Sequence, residues 1–250
     1  MFPLRDTIPR VHTPWAVWCI LAANLAVFLW QQTLPHGEIL RLFHFMGVVP
    51  ARFAHPDWAL TSGYPPGGYI AFVAHMFLHG GWGHFLVNMW TLWIFGDNIE
   101  DVMGPLRFMA FYLTCGLAAL LTHMVFSASS TVPVVGASGA IAGVLGAYFL
   151  LYPHARVTTL VPLLFIPLIF DLPAVVYLGI WFVTQLLSGL TTLGSDGAGI
   201  AWWAHLGGFV AGFVLLPLFR QKGRCYYCRF PEGRGRGVIR APHAPHDPEA

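Results

Sequence analysis

Charge is what this sequence has least of. Asp, Glu, Lys and Arg make up 10% of its 250 residues, where a soluble domain carries about 25%. Apolar residues account for 56%, and mean hydropathy is +0.64. A fold of this size cannot cover its surface for water with so few charges, so it needs lipid around it. The net charge of +2 is too small to argue for a nucleic-acid partner. Cysteine is scarce too. Cys19 and Cys115 lie inside apolar runs, and four cysteines so placed make no disulfide framework. Cys225 and Cys228 form a C-x-x-C, and His243 and His246 follow it. These four could form a zinc knuckle. The Gly-Arg-Gly-Arg-Gly run between them offers little to pack against, so neither metal nor cofactor is expected. Acidic residues are missing from the middle of every apolar run.

What is present is a series of runs long enough for a helix to cross about 30 Å of hydrocarbon. The first spans Trp15 to about Gln31. Gln31, Gln32, Leu34 and Pro35 follow it rather than a small-residue cleavage site, so it reads as an uncleaved helix. A long, proline-rich but still apolar loop, Thr33 to about Gly68, should lie on the membrane surface. Further spans are expected within Tyr69–Phe95, from about Pro105 to Ser127, and from near Gly136 to Tyr152. A fifth lies within Val157–Leu187, beginning near Leu172 after Pro162 and Pro167, and a sixth runs from about Ala198 to Phe219. The expected fold class is therefore all-α: a polytopic membrane protein, a six-transmembrane-helix bundle with a short, recessed fourth helix. Residues 1–14 form a cytoplasmic N-terminus, 15–219 the membrane domain, and 220–250 a basic, disordered tail. Seven of the thirteen Lys and Arg residues follow Phe219. An even number of crossings puts both termini, Arg107 and Arg156 in the cytoplasm, with only Arg41 and Arg52 outside, as the positive-inside rule requires. The expected location is the cell membrane.

Ionisable residues inside a membrane are costly, so they are functional candidates. The second run carries His75, His79, His84 and Asn88, and the sixth carries His205. The fourth opens with Gly136-Ala137-Ser138-Gly139. Ala204, Gly208 and Gly212 form a small-residue stripe on the sixth helix; Gly139, Gly143 and Ala147 form one on the fourth. Such stripes let two backbones approach closely, which would bring Ser138 and His205 within reach. Depth agrees. Ala137–Tyr152 is roughly 24 Å of helix, short of the span, and His205 lies roughly 10 Å past Ala198. A histidine that accepts the serine proton makes the hydroxyl a nucleophile. With no acid inside a span to orient the base, a Ser138–His205 dyad is expected. His84 and Asn88, at i and i+4 on one face, could donate to a developing oxyanion, as could the Ser138 backbone N–H. The Gly80-Gly81-Trp82-Gly83 break and the lack of a nearby carboxylate argue against His75, His79 and His84 as metal ligands.

Taken together, Gly136-Ala137-Ser138-Gly139, His84-x-x-x-Asn88 and Ala204-His205-x-x-Gly208-x-x-x-Gly212 resemble the rhomboid proteases over about residues 1–219. Pro3-Leu4-Arg5-Asp6 and Asn24 are similar to bacterial members. The resemblance implies an intramembrane serine endopeptidase, with Ser138 as nucleophile, His205 as general base, and His84 and Asn88 lining the oxyanion hole. The implied substrates are single-pass membrane proteins cut in or near their transmembrane segments. The alternative is a non-enzymatic chaperone or scaffold on the same fold, against which the presence of both dyad residues argues. Three departures stand out. Many members carry an aromatic residue one turn after the serine, stacked on the base, where this chain has Ala142. The Trp-Arg pair of some members' first outer loop is missing. The C-x-x-C tail lies outside the core pattern.

Overall fold

The computed structural model describes residues 1–163, 166–191, 201–225, 227 and 228. A short strand, β1 (Phe2–Asp6), precedes the first long helix, α1 (Trp15–Gln32). Three short helices follow: α2 (His36–Met46), α3 (Pro50–Ala54) and α4 (Pro56–Thr61). Helix α5 (Ala71–Ala74) and a 3-10 turn lead to α6 (Trp82–Met103), and α7 (Pro105–Phe126) returns. Then come α8 (Ser138–Leu151), the hairpin β2 (Arg156–Leu163) and β3 (Ile166–Pro173), α9 (Ala174–Thr191) and α10 (Trp202–Phe219). Helices α1, α7, α9 and α10 are long and apolar enough to cross a membrane, so the chain is a multi-pass membrane protein, mostly helical. Helix α6 is as long as α7 but carries Asp97, Glu100 and Asp101 near its C-terminal end. Helix α8, at 14 residues, is shorter than any of these. Large apolar side chains such as Leu86, Val125, Ile180, Val214 and Leu218 stay exposed, as a lipid-facing surface requires.

Four expectations need correcting. The chain is not all-α: β1 pairs antiparallel with β2, and β2 with β3. The β-branched run Val157-Thr158-Thr159 favours extended backbone. Pro162 and Pro167 pair across the hairpin near its tip, where a missing N–H costs little. The second long helix, α6, does not stay within Tyr69–Phe95 but runs Trp82–Met103. The backbone breaks before it at Leu78–Gly81, and α6 runs eight residues beyond Phe95, which puts its acids in the helix but at the end away from His84. The surface loop is largely helical in α2–α4. Finally, the tail has structure at its start. Gln221 N–H donates to Val102 O at 3.0 Å, Arg224 Nε donates to Asp101 O at 2.8 Å, and Cys225 and Cys228 form a disulfide. His243 and His246 lie outside the described residues, as does Ala198, the expected start of the sixth helix.

The core of the bundle is the triangle of α7, α8 and α10. A Cβ on Gly208 would collide with Gly139 O, one on Gly212 with Gly143 O, and one on Gly146 with Phe209 O. Both expected stripes thus meet at backbone contact. On its other side α10 meets α7, where Gly207 faces Thr122. At the end of the bundle that holds the sheet, the α6 acids cap the chain's start. Glu100 accepts from the Ala16 and Val17 N–H groups at 3.0 and 2.9 Å, and Asp101 from those of Val11 and His12. The first N–H groups of a helix have no intrahelical acceptor, so this cap holds α1 against α6.

Candidate active site

Ser138 is the first residue of α8 and His205 sits in the first turn of α10. Both lie at the bundle end opposite the sheet. The glycine seam sets the α8–α10 distance, and His205 Nε2 comes to 2.8 Å from Ser138 Oγ. The pair borders a cavity of about 1000 Å³ that is also lined by His84, Asn88, Gly136 and Gln185. Gly136 approaches with φ +122, and a Cβ there would lie 2.7 Å from His84 Cε1 and Nε2. Only glycine fits both that conformation and that space. The Gly136 N–H is used on His75 O at 2.8 Å, which ties the loop before α8 to the turn before α6.

His84 and Asn88 face this cavity from α6. Asn88 is 6% exposed, and its Nδ2 is buried with no hydrogen-bond partner among the described residues. A buried donor left unpaired costs about 1–3 kcal/mol, so its position calls for a role. Gly80 N–H donates to His84 Nδ1 at 3.4 Å, leaving Nε2 to carry the ring proton toward Gly136. Ser138 N–H, at the helix start, is a third donor without an intrahelical acceptor. Anionic oxygen near Ser138 would therefore meet three donors from three directions.

The other two histidines take different places. His75 Nδ1 is bonded to Ala71 O at 3.0 Å, and His79 packs edge-on against Phe28 and Phe85. Gln31 of α1 straps the break in the chain here: its Nε2 donates to His79 O and its Oε1 accepts from His79 N–H. The described residues hold no cluster of three or more ligating side chains.

Three partners of His205 are not evident in the sequence pattern. Gln185 Oε1 lies 2.6 Å from His205 Nδ1. The Trp181 and Trp202 rings stand 6.1 and 6.2 Å from the imidazole, tilted and edge-on. Aromatic packing near the imidazole thus comes from α9 and from the start of α10 rather than from position 142. Ala142 is fully buried in the α8–α10 seam, its Cβ 3.2 Å from where a Gly208 Cβ would stand.

A family model, the Rhomboid domain, matches residues 66–222, a stretch that contains all four of Ser138, His205, His84 and Asn88. The chain belongs to the rhomboid family. It is 29% identical over 217 residues to Rhomboid protein 1, mitochondrial, of Saccharomyces cerevisiae, a match that covers 82% of this chain and 53% of that protein. To RHOMBOID-like protein 5 of Arabidopsis thaliana it is 26% identical, over 83% of this chain and 69% of the relative. Rhomboid protease GluP of Bacillus subtilis is 41% identical over 70 residues, covering 28% of this chain and 13% of that protein. The chain spans about half the length of the yeast relative.

Proposed function

We propose that this protein is an intramembrane serine endopeptidase that cuts transmembrane segments of other membrane proteins. The observation that carries the reading is the 2.8 Å approach of Ser138 Oγ to His205 Nε2 beside the unpaired Asn88 Nδ2. In this scheme His205 Nε2 takes the Ser138 proton as Oγ attacks the scissile carbonyl. The oxyanion that forms is held by Asn88 Nδ2, His84 Nε2–H and Ser138 N–H. His205 then gives its proton to the leaving amine, and an ester on Ser138 remains. Water, deprotonated by the same histidine, releases the acid and restores the hydroxyl.

The proposed topology has six crossings, with α6 and the short α8 added to the four long apolar helices. Helix α8 is roughly 21 Å long, too short for about 30 Å of hydrocarbon, so Ser138 sits below the outer surface, where the cavity admits water. Both termini then lie in the cytoplasm of a cell with this protein in its plasma membrane, and the substrate arrives from the lipid. The test is purified protein in detergent with a model transmembrane substrate and a fluorophosphonate probe. Wild type should cleave and label; Ser138→Ala should do neither. Cleavage by Ser138→Ala would end the serine-protease reading.

A further inference from the structure

We infer that Gln185 is the positioning residue of the catalytic base: it fixes the His205 tautomer that can accept the Ser138 proton. The inference rests on the dyad reading above. A neutral imidazole has one N–H and one lone pair. If Nε2 is to take the serine proton, the ring proton must sit on Nδ1, and something must accept it. Gln185 Oε1 stands 2.6 Å from Nδ1, and Nε2 faces Ser138 Oγ at 2.8 Å. Both ring nitrogens are therefore engaged in a line from amide to imidazole to hydroxyl. With the amide reversed, its N–H would donate to Nδ1. Nε2 would then carry the ring proton and could only donate to Ser138, leaving the base unable to act.

The surroundings make this contact specific. Gln185 is 8% exposed, on the inner face of an apolar helix whose other buried residues are Ala174, Tyr177, Leu178 and Gly189. A primary amide in that setting is costly unless it is bonded, and His205 is where its oxygen goes. Trp181 lies one turn earlier on α9, its ring tilted 34° and 6.1 Å from the same imidazole. One face of α9 thus supplies both a polar and an aromatic support to the ring. This answers what replaces the aromatic residue that is absent at Ala142. The same contact also makes the base depend on a helix that is lightly held: 28% of the α9 span is buried, against 33–44% for α1, α7 and α10. Only a docked α9 orients His205.

Glutamate separates this role from packing, because a carboxylate can only accept, whereas leucine fills the space and accepts nothing. The experiment measures kcat and KM on a model transmembrane substrate for wild type, Gln185→Leu, Gln185→Glu and Ser138→Ala. It adds the 15N spectrum of His205 in detergent, assigned by its loss in His205→Ala. Misplaced catalytic groups cost on the order of 100-fold. Gln185→Leu should therefore lose about 10- to 100-fold in kcat with KM little changed, and Gln185→Glu should recover most of that loss. In wild type the ring proton should be on Nδ1, and in Gln185→Leu it should spread over both nitrogens. Wild-type kcat in Gln185→Leu, a Glu variant no better than Leu, or a wild-type proton on Nε2 would each overturn the inference. Should Gln185→Leu fail to fold, the wild-type spectrum still decides. Cleavage by Ser138→Ala would instead sink the dyad itself, and with it the ground for this proposal.

Discussion

At the scale of single residues, the site is a set of polar groups that the fold would have discarded if they had no use. Asn88 Nδ2 is the plainest case, buried and without a hydrogen-bond partner among the described residues. Removing one oxyanion donor typically costs about 10²–10³ in turnover, so Asn88→Ala should lower kcat by about that factor while KM changes little. An unchanged kcat in a folded variant would make Asn88 a packing residue. In the proposed mechanism Ser138 and His205 act as a unit, and such residues are non-additive. Ser138→Ala, His205→Ala and the double variant should show nearly the same residual activity; losses that multiply would mean independent action. Ser138, His205, His84 and Asn88 were legible because each stands in a short local pattern: a glycine stripe, or an i, i+4 spacing. Gln185 was not. Its partner depends on how α9 is rotated and tilted against α10, which no local pattern encodes. The one available signal was a lone amide in an apolar helix, one turn after a tryptophan.

At the scale of elements, the α8–α10 seam sets the geometry. Gly208→Val would drive a side chain into Gly139 carbonyl and spread the two helices. A shift of about 1 Å at the dyad can cost on the order of 100-fold, so activity should fall that far while the protein still inserts; full activity would mean that the seam does not set the site. Helices α1, α7, α9 and α10 were readable from apolar length alone. The sheet was not, because three prolines and a β-branched run looked like a damaged helix start, and strand β1 comes from the far end of the chain. The segment between α1 and α5 shows the same limit. Arg52, without a carboxylate partner among the described residues, is 6% exposed; its Nη atoms reach the Phe45, Pro65 and Gly67 carbonyls at 3.3–3.5 Å, and Tyr64 lies 5.1 Å away. This cation anchors α2–α4 where the Trp-Arg pair is missing. Arg52→Met should remove about 1–3 kcal/mol from the loop's attachment, read as faster limited proteolysis between residues 33 and 68 with the helices intact. Unaltered proteolysis would show that the loop is held elsewhere.

At the scale of the molecule, the two ends of the bundle have different tasks: one holds the site, the other clasps the chain. In the clasp, Asp6 of β1 accepts from Tyr148 of α8 at 2.5 Å and from Asn98 of α6 at 2.8 Å. Burial raises the Asp6 pKa to about 6 from 3.8, more than these hydrogen bonds lower it. The folded state therefore holds this proton more tightly than the unfolded state between about pH 4 and 6. Stability should rise as pH falls through that window, by at most about 3 kcal/mol. Unfolding titrations at pH 4.5 and 7.5 should show this gain in wild type relative to Asp6→Asn; equal slopes would remove Asp6 as the source. The clasp also puts a condition on the order in which the molecule is assembled. Phe2 pairs with Leu160, so β1 has no partner until α1, α6, α7 and α8 have been made. Loop closure over such a distance is slow and is completed late. During synthesis β1 must wait unpaired while these helices are made and packed, and the sheet closes over them afterwards as a latch that records that they have arrived.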